Sequence, residues 1–114
     1  MKNLKELQME NEIIDFQKFR SSGSKVFLGR DRGKAVREQI NFDILLKSNK
    51  KVEIRIPSDM YTVNTSFFLG LFGNVVRKLG ELVFREKFIF ICEPSILDDI
   101  NEGIDRALKE NSAI

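Results

Sequence analysis

The chain lacks histidine and tryptophan, and it has one cysteine and one tyrosine beside ten phenylalanines. Without histidine there is no Ser–His or Cys–His pair for nucleophilic catalysis and no imidazole ligand for zinc. A single cysteine, Cys92, excludes an intramolecular disulfide and a thiolate metal cluster. These absences predict a protein that is not an enzyme and that uses no metal and no cofactor.

Long apolar runs are also absent. The longest, residues 67–76, is interrupted by Gly70, Gly73 and Asn74, whereas a membrane-spanning helix needs about 20 apolar residues. The first twelve residues mix lysine and glutamate without an apolar stretch, so no secretory signal is expected. We therefore expect a cytoplasmic protein with no membrane contact.

The length of 114 residues, with 42% hydrophobic and 32% charged residues, fits one folded domain. We expect residues 1–11 to be a flexible N-terminal segment and residues 12–114 to form the single domain. The formal net charge is only +2. Residues 25–37 hold five basic residues and one acidic residue, while residues 93–110 hold six acidic and two basic ones. The two segments nearly cancel, which weakens the case for a nucleic-acid partner.

Strands are predicted at four places, residues 12–16, 25–28, 51–56 and 88–92. The third alternates with period two up to Pro57, and the fourth is continuously apolar, as in a strand covered on both faces. Two successive strand–helix units from residue 51 onward favour an α/β domain with a mainly parallel sheet.

Three helices are predicted. The first runs from an Asp31 N-cap to Ser48-Asn49 and buries Val36, Ile40 and Ile44, which recur in steps of four. The second follows residues 64–66, carries three of the ten phenylalanines and is expected to end before Gly80. The third opens at Pro94, with apolar residues again four apart. Near its start, Asp98 and Asp99 are expected to stabilise the helix dipole rather than bind a metal.

The first candidate functional feature is Asn64-Thr65-Ser66, directly before Phe67. Three successive N-cap residue types predict a helix start, where a side-chain oxygen accepts a backbone N–H. The alternative is a regulatory hydroxyl, because a phosphoryl group at a helix N-terminus meets free N–H groups and a favourable dipole.

The second feature is the basic set Arg30, Arg32, Lys34 and Arg37. One interpretation is a solvated helix face, and the other is an anion-binding site at the start of that helix. A P-loop is excluded, because three residues rather than four separate the glycines Gly29 and Gly33, and no serine or threonine follows Lys34.

The third feature is Gly70 with Gly73 inside an apolar helix, where each glycine costs about 1 kcal/mol relative to alanine. One explanation is that the two glycines let this helix approach the sheet closely. A helix face offered to a partner, with Phe67 or Phe68 exposed, is the alternative.

Residues 27–108 resemble the STAS-like domain family of unknown function, which is distantly similar to anti-sigma-factor antagonists. The resemblance rests on Gly29-Arg30 opening a helix, on the strand at residues 52–56, and on Thr65-Ser66-Phe67 opening an apolar helix that continues Leu71-Phe72-Gly73. It implies a STAS-like fold with four to five strands in a mainly parallel or mixed sheet and about three helices. It also places Ser66 at the phosphorylatable position of the antagonists, although Asn64 and Phe67 depart from their pattern.

The leading hypothesis is therefore a non-enzymatic regulatory protein–protein interaction module. The resemblance implies a histidine-kinase-like ATPase as a partner, and Asn64 to Phe67 as the phospho-switch or partner contact. One alternative is a small-anion or nucleotide sensor that uses Arg30 and the following helix N-terminus. Another is a nucleic-acid accessory protein. The sequence leaves the oligomeric state open.

Overall fold

The computed structural model describes residues 11–112, with side chains for residues 11–110. The predicted flexible segment therefore lies outside the described residues, apart from Asn11. The described elements are β1 (Glu12–Asp15), a 3-10 turn (Phe16–Phe19), β2 (Val26–Phe27), α1 (Arg30–Ile40), α2 (Phe42–Lys47), β3 (Val52–Arg55), β4 (Thr62–Val63), α3 (Thr65–Leu79), α4 (Glu81–Lys87), β5 (Phe88–Ile91) and α5 (Pro94–Ser112).

The α/β class is confirmed, but the strands form two sheets rather than one. In residues 11–112, β1, β3 and β5 make a three-stranded parallel sheet in the order β1-β3-β5, and β2 pairs with β4 in a separate two-stranded parallel sheet. The same residues form five helices, where about three were expected for the domain. The additional elements are short: α4 fills the link before β5, and β4 lies in the turn-rich segment after Pro57.

Phenylalanine rings join the helices to one face of the three-stranded sheet. Phe72 of α3 lies 5.4 Å from Phe88 and 5.6 Å from Phe90 of β5, measured between ring centroids. The ring of Phe42 from α2 and that of Phe84 from α4 pack around the same point. With no tryptophan in the chain, this ring cluster supplies much of the large buried apolar surface.

The first predicted helix is two helices in the structure. Its N-cap is Gly29 rather than Asp31, and the helix ends at Asn41, which adopts a left-handed conformation with φ 61°. Asparagine tolerates this conformation better than most residues. The turn at Asn41 breaks the four-residue spacing, so that Val36 is buried while Ile44 is 66% exposed.

The prediction that Gly70 lets its helix approach the sheet closely was wrong, because Gly70 lies against another helix, α1. A Cβ atom on Gly70 would lie 2.1 Å from the carbonyl oxygen of Arg30, and one on Gly33 would lie 2.1 Å from that of Phe67. The backbones of α1 and α3 therefore touch where they cross. The alternative of an exposed aromatic face is also wrong, because Phe67 and Phe68 are both fully buried.

The expectation that the last strand is covered on both faces was wrong as well. β5 lies at the edge of its sheet. Phe88 faces the helices and is buried, while Ile91, which points to the opposite face, is 49% exposed.

Candidate functional site

The two-stranded sheet brings the two predicted candidate segments to one edge. β2 and β4 are parallel, with Phe27 beside Val63, and the backbone N–H of Asn64 donates to the carbonyl oxygen of Phe27 at 2.9 Å. Each strand then leads into a helix, β2 into α1 through Gly29 and β4 into α3 through Asn64. Both helices therefore begin at the carboxyl edge of this sheet, the edge where open α/β sheets place their ligands.

Asn64 is the N-cap of α3. Its side-chain oxygen accepts from the backbone N–H of Ser66 at 2.9 Å, and its carbonyl accepts from the N–H of Phe68 at 3.0 Å. Ser66 is exposed and Thr65 half-buried. Phe67 is fully buried, with its ring 5.0 Å from that of Phe27. The segment thus presents the Ser66 hydroxyl to solvent while Phe67 anchors the helix beneath it.

An exposed apolar side chain adjoins this helix start. Leu28, the residue after β2, is 53% exposed. Leu28 directly follows Phe27, whose carbonyl oxygen accepts from the N–H of Asn64, so Leu28 lies at the same sheet edge as the start of α3. The carboxyl edge of the two-stranded sheet therefore presents both a hydroxyl group and an apolar side chain to solvent.

The four basic residues of the second feature have different neighbours. Arg30 makes an ion pair with Glu110 of α5 at 3.3 Å, and Arg32 donates to the backbone carbonyl of Phe19. Lys34 is exposed on the next turn. Glu110 also pairs with Arg77 at 3.5 Å, so one carboxylate is shared by two guanidinium groups. The four basic residues do not converge on one point.

Arg37, the fourth basic residue, lines a surface cleft. The cleft has a volume of about 410 Å³ and lies between the junction of α1 with α2 and the second half of α3. Lys78 and Asn74 face Arg37 across it, but Glu38 and Asp43 line it too. Equal numbers of acidic and basic groups give this cleft no preference for an anion.

Asp99 is a positioning residue that the sequence pattern did not reveal. It was expected to act on the dipole of its own helix, but its carboxylate accepts from the hydroxyl of Thr62 at 2.9 Å and from the N–H of Val63 at 3.0 Å. These bonds tie α5 to β4, directly before the start of α3. Val63 and Thr62 are 36 and 37 residues from Asp99 in the sequence, so no local pattern could have predicted these contacts.

Cys92 is half-buried, and burial, followed by the charge of Glu93, raises the pKa of its thiol. A raised pKa keeps the thiol protonated at neutral pH, which makes it a poor nucleophile. Among residues 11–110, no three histidine, cysteine, aspartate or glutamate side chains cluster as metal ligands would.

Comparisons with protein-family models, with curated proteins and with solved structures find no match for this chain. No helix in the described residues combines the length and the apolar character needed to cross a membrane.

Proposed function

We propose that this protein is a non-enzymatic regulatory module of the STAS-like type that binds a protein partner through the start of α3. The observation that carries the proposal is that Ser66 and Leu28 are both exposed at the one sheet edge where α1 and α3 begin. The resemblance supports it, since Gly29-Arg30 opens α1 and Thr65-Ser66 opens α3.

A phosphoryl group on Ser66 would change this contact strongly. It adds a charge of about −1.5 to −2 at pH 7, at the sheet edge where the apolar Leu28 is exposed. Burying that charge against a partner requires desolvation that the unmodified hydroxyl does not. The helix dipole of α3 stabilises the same charge when it stays in solvent. We therefore expect phosphorylation at Ser66 to weaken binding, which is how a switch at this position would act.

The partner implied by the resemblance is a histidine-kinase-like ATPase encoded nearby. The test titrates the chain by calorimetry against the products of neighbouring genes, such an ATPase first, and compares Ser66→Ala with Ser66→Asp. Ser66→Ala should bind like the wild type, and Ser66→Asp should bind at least about tenfold more weakly, equal to about 1.4 kcal/mol.

Ser95→Asp is the matched control, because Ser95 is also an exposed serine in the first turn of a helix, α5. It should leave binding unchanged. Incubation with ATP and the partner, followed by mass spectrometry, should place phosphate on Ser66 and not on Ser95. Unchanged affinity of Ser66→Asp, together with no modification at Ser66, would refute the switch.

The second candidate function is a small-anion or nucleotide sensor that uses Arg30 and the start of α1. The favouring observation is that two helix N-termini lie at one edge of the small sheet. A nucleotide at 100 times its dissociation constant should add about 2.7 kcal/mol to the free energy of unfolding. Arg30→Gln should abolish that gain, and an unchanged melting temperature across phosphate and nucleotides would exclude the sensor.

A further inference from the structure

The three-stranded sheet has a second face, which we call the open face. The strand register places two rows of three side chains on it, one row across β1, β3 and β5 and a second row two residues further along. The rows are Ile13, Glu53 and Ile89, then Asp15, Arg55 and Ile91.

Within residues 11–110, four of the six side chains on this face are exposed to solvent, and Glu53 and Ile89 are half-buried. Ile13 is 51% exposed and Ile91 49% exposed. The ring cluster of α2, α3 and α4 lies against the opposite face, where Val52 and Ile54 are buried. Parallel sheets are found almost only with both faces covered, so a parallel sheet with isoleucines in solvent indicates that something packs on it.

The charges at the centre of the open face are self-complementary. Glu53 and Arg55 lie on the central strand, two residues apart, and form an ion pair with each other. The other four side chains of the open face are three isoleucines and Asp15. The carboxylate of Asp15 accepts from the N–H of Gln17. When a second copy of β3 lies antiparallel over the first, the acidic residue of each strand faces the basic residue of the other.

We propose that the open face packs against the open face of a second copy of this chain, with the two β3 strands antiparallel. A two-fold axis between the sheets and perpendicular to the strands then sets Glu53 of each copy opposite Arg55 of the other. The parallel arrangement would set Glu53 against Glu53 and is disfavoured.

In the antiparallel arrangement the β5 strands also stack, with Ile89 of one copy over Ile91 of the other. Asp15 comes opposite Ile13, an unfavourable contact at the edge of the face. The contact between the β1 strands therefore opposes association, while the central charge pairs and the stacked β5 isoleucines favour it. The face spans only three short strands, well below the roughly 800 Å² per partner of a stable complex. The dimer is therefore weak and concentration-dependent.

The test measures the mass of the full chain by sedimentation equilibrium from about 10 μM to about 1 mM, a range that covers weak complexes. The wild type should shift from monomer to dimer. Glu53→Arg and Arg55→Glu should each stay monomeric, because each places like charges opposite one another. The double variant, carrying both substitutions, restores the complementarity and should dimerise.

The decisive sample is an equal mixture of the two single variants. One has two bases on its central strand and the other two acids, so the mixture should form a heterodimer although neither variant associates alone. Glu38→Arg makes the same charge change on an exposed residue of α1 and should dimerise like the wild type. Circular dichroism confirms that each variant is folded.

Three results would overturn the proposal. The first is a wild type that stays monomeric over the whole range, and the second is single variants that dimerise as the wild type does. The third is a mixture that contains only monomers. None of these results bears on binding at Ser66, which lies on the other sheet's edge, so the two proposals fail independently.

Discussion

Replacing Gly70 with alanine tests the crossing of α1 and α3 directly. The added Cβ atom would lie 2.1 Å from the carbonyl oxygen of Arg30 and 3.1 Å from the backbone nitrogen of Lys34. Both neighbours are helix backbone, so the two helices must separate by about 1 Å, which a close-packed core resists. Overpacking of this kind costs about 3 kcal/mol, and alanine regains about 1 kcal/mol of helix propensity. The net loss is about 2 kcal/mol in the free energy of unfolding.

Gly73→Ala is the matched control, with the same substitution one turn further along α3. Its Cβ atom would lie 3.3 Å from the guanidinium of Arg77, the far end of a flexible side chain. This variant keeps the propensity gain and should be as stable as the wild type or up to about 1 kcal/mol more stable. Thermal unfolding should show Gly70→Ala melting about 8 °C below the wild type, at about 4 °C per kcal/mol. If Gly70→Ala melts at or above Gly73→Ala, the crossing is not a backbone contact.

The other predictions concern single side chains. Asn64→Ala should lower the free energy of unfolding by about 1 kcal/mol in urea titration, because the α3 cap is lost, whereas Ser66→Ala should leave it unchanged. Asp99→Ala should lower the free energy of unfolding by about 2 kcal/mol in the same assay, since it leaves the N–H of Val63 without its acceptor. A loss smaller than about 0.3 kcal/mol would show that water replaces the carboxylate. Cys92 should react with a disulfide reagent at pH 8 more slowly than a free thiol, and at the free-thiol rate in urea, because its raised pKa and burial depend on the fold.

Local chemistry was a good guide to α3. Its apolar spacing and the run Asn64-Thr65-Ser66 predicted a helix that follows residues 64–66 and ends before Gly80. The structure has Thr65–Leu79, with Asn64, the first of the three candidates, as the N-cap. Periodicity and capping act between residues a few positions apart, so the sequence shows them directly. The predicted strands at residues 12–16, 25–28, 51–56 and 88–92 were found within two residues of their ends for the same reason.

The sequence pattern was less informative for the first predicted helix, which a single residue divides in two. The four-residue spacing of Val36, Ile40 and Ile44 is that of one continuous helix, yet Asn41 turns left-handed and separates α1 from α2. Nothing in the spacing reveals this, because an asparagine inside a helical pattern is ordinary until packing selects the left-handed conformation. The segments around β4 and α4 were missed since they are short and have little periodicity of their own.

Of the candidate site, the sequence predicted the members but not their arrangement. Asn64 and Ser66 were identified from their order before an apolar run, while the burial of Phe67 and the separate neighbours of Arg30 and Arg32 depend on chain segments far away. Asp99 is the clearest case, because its partners are on a strand that the sequence did not predict.

By itself the sequence determined the class of domain, the position of its main helix and the phenylalanine core, because composition and short-range periodicity decide which stretches become helix or strand and which sides are apolar. Tertiary structure alone decided that the strands divide into two sheets and that the backbones of α1 and α3 touch at Gly33 and Gly70. It also decided that Glu53 lies between two isoleucines on the open face, with Arg55 two residues along the same strand. These features depend on which distant segments pack together, and that choice is made by the shape and burial of the whole chain rather than by any one stretch of it.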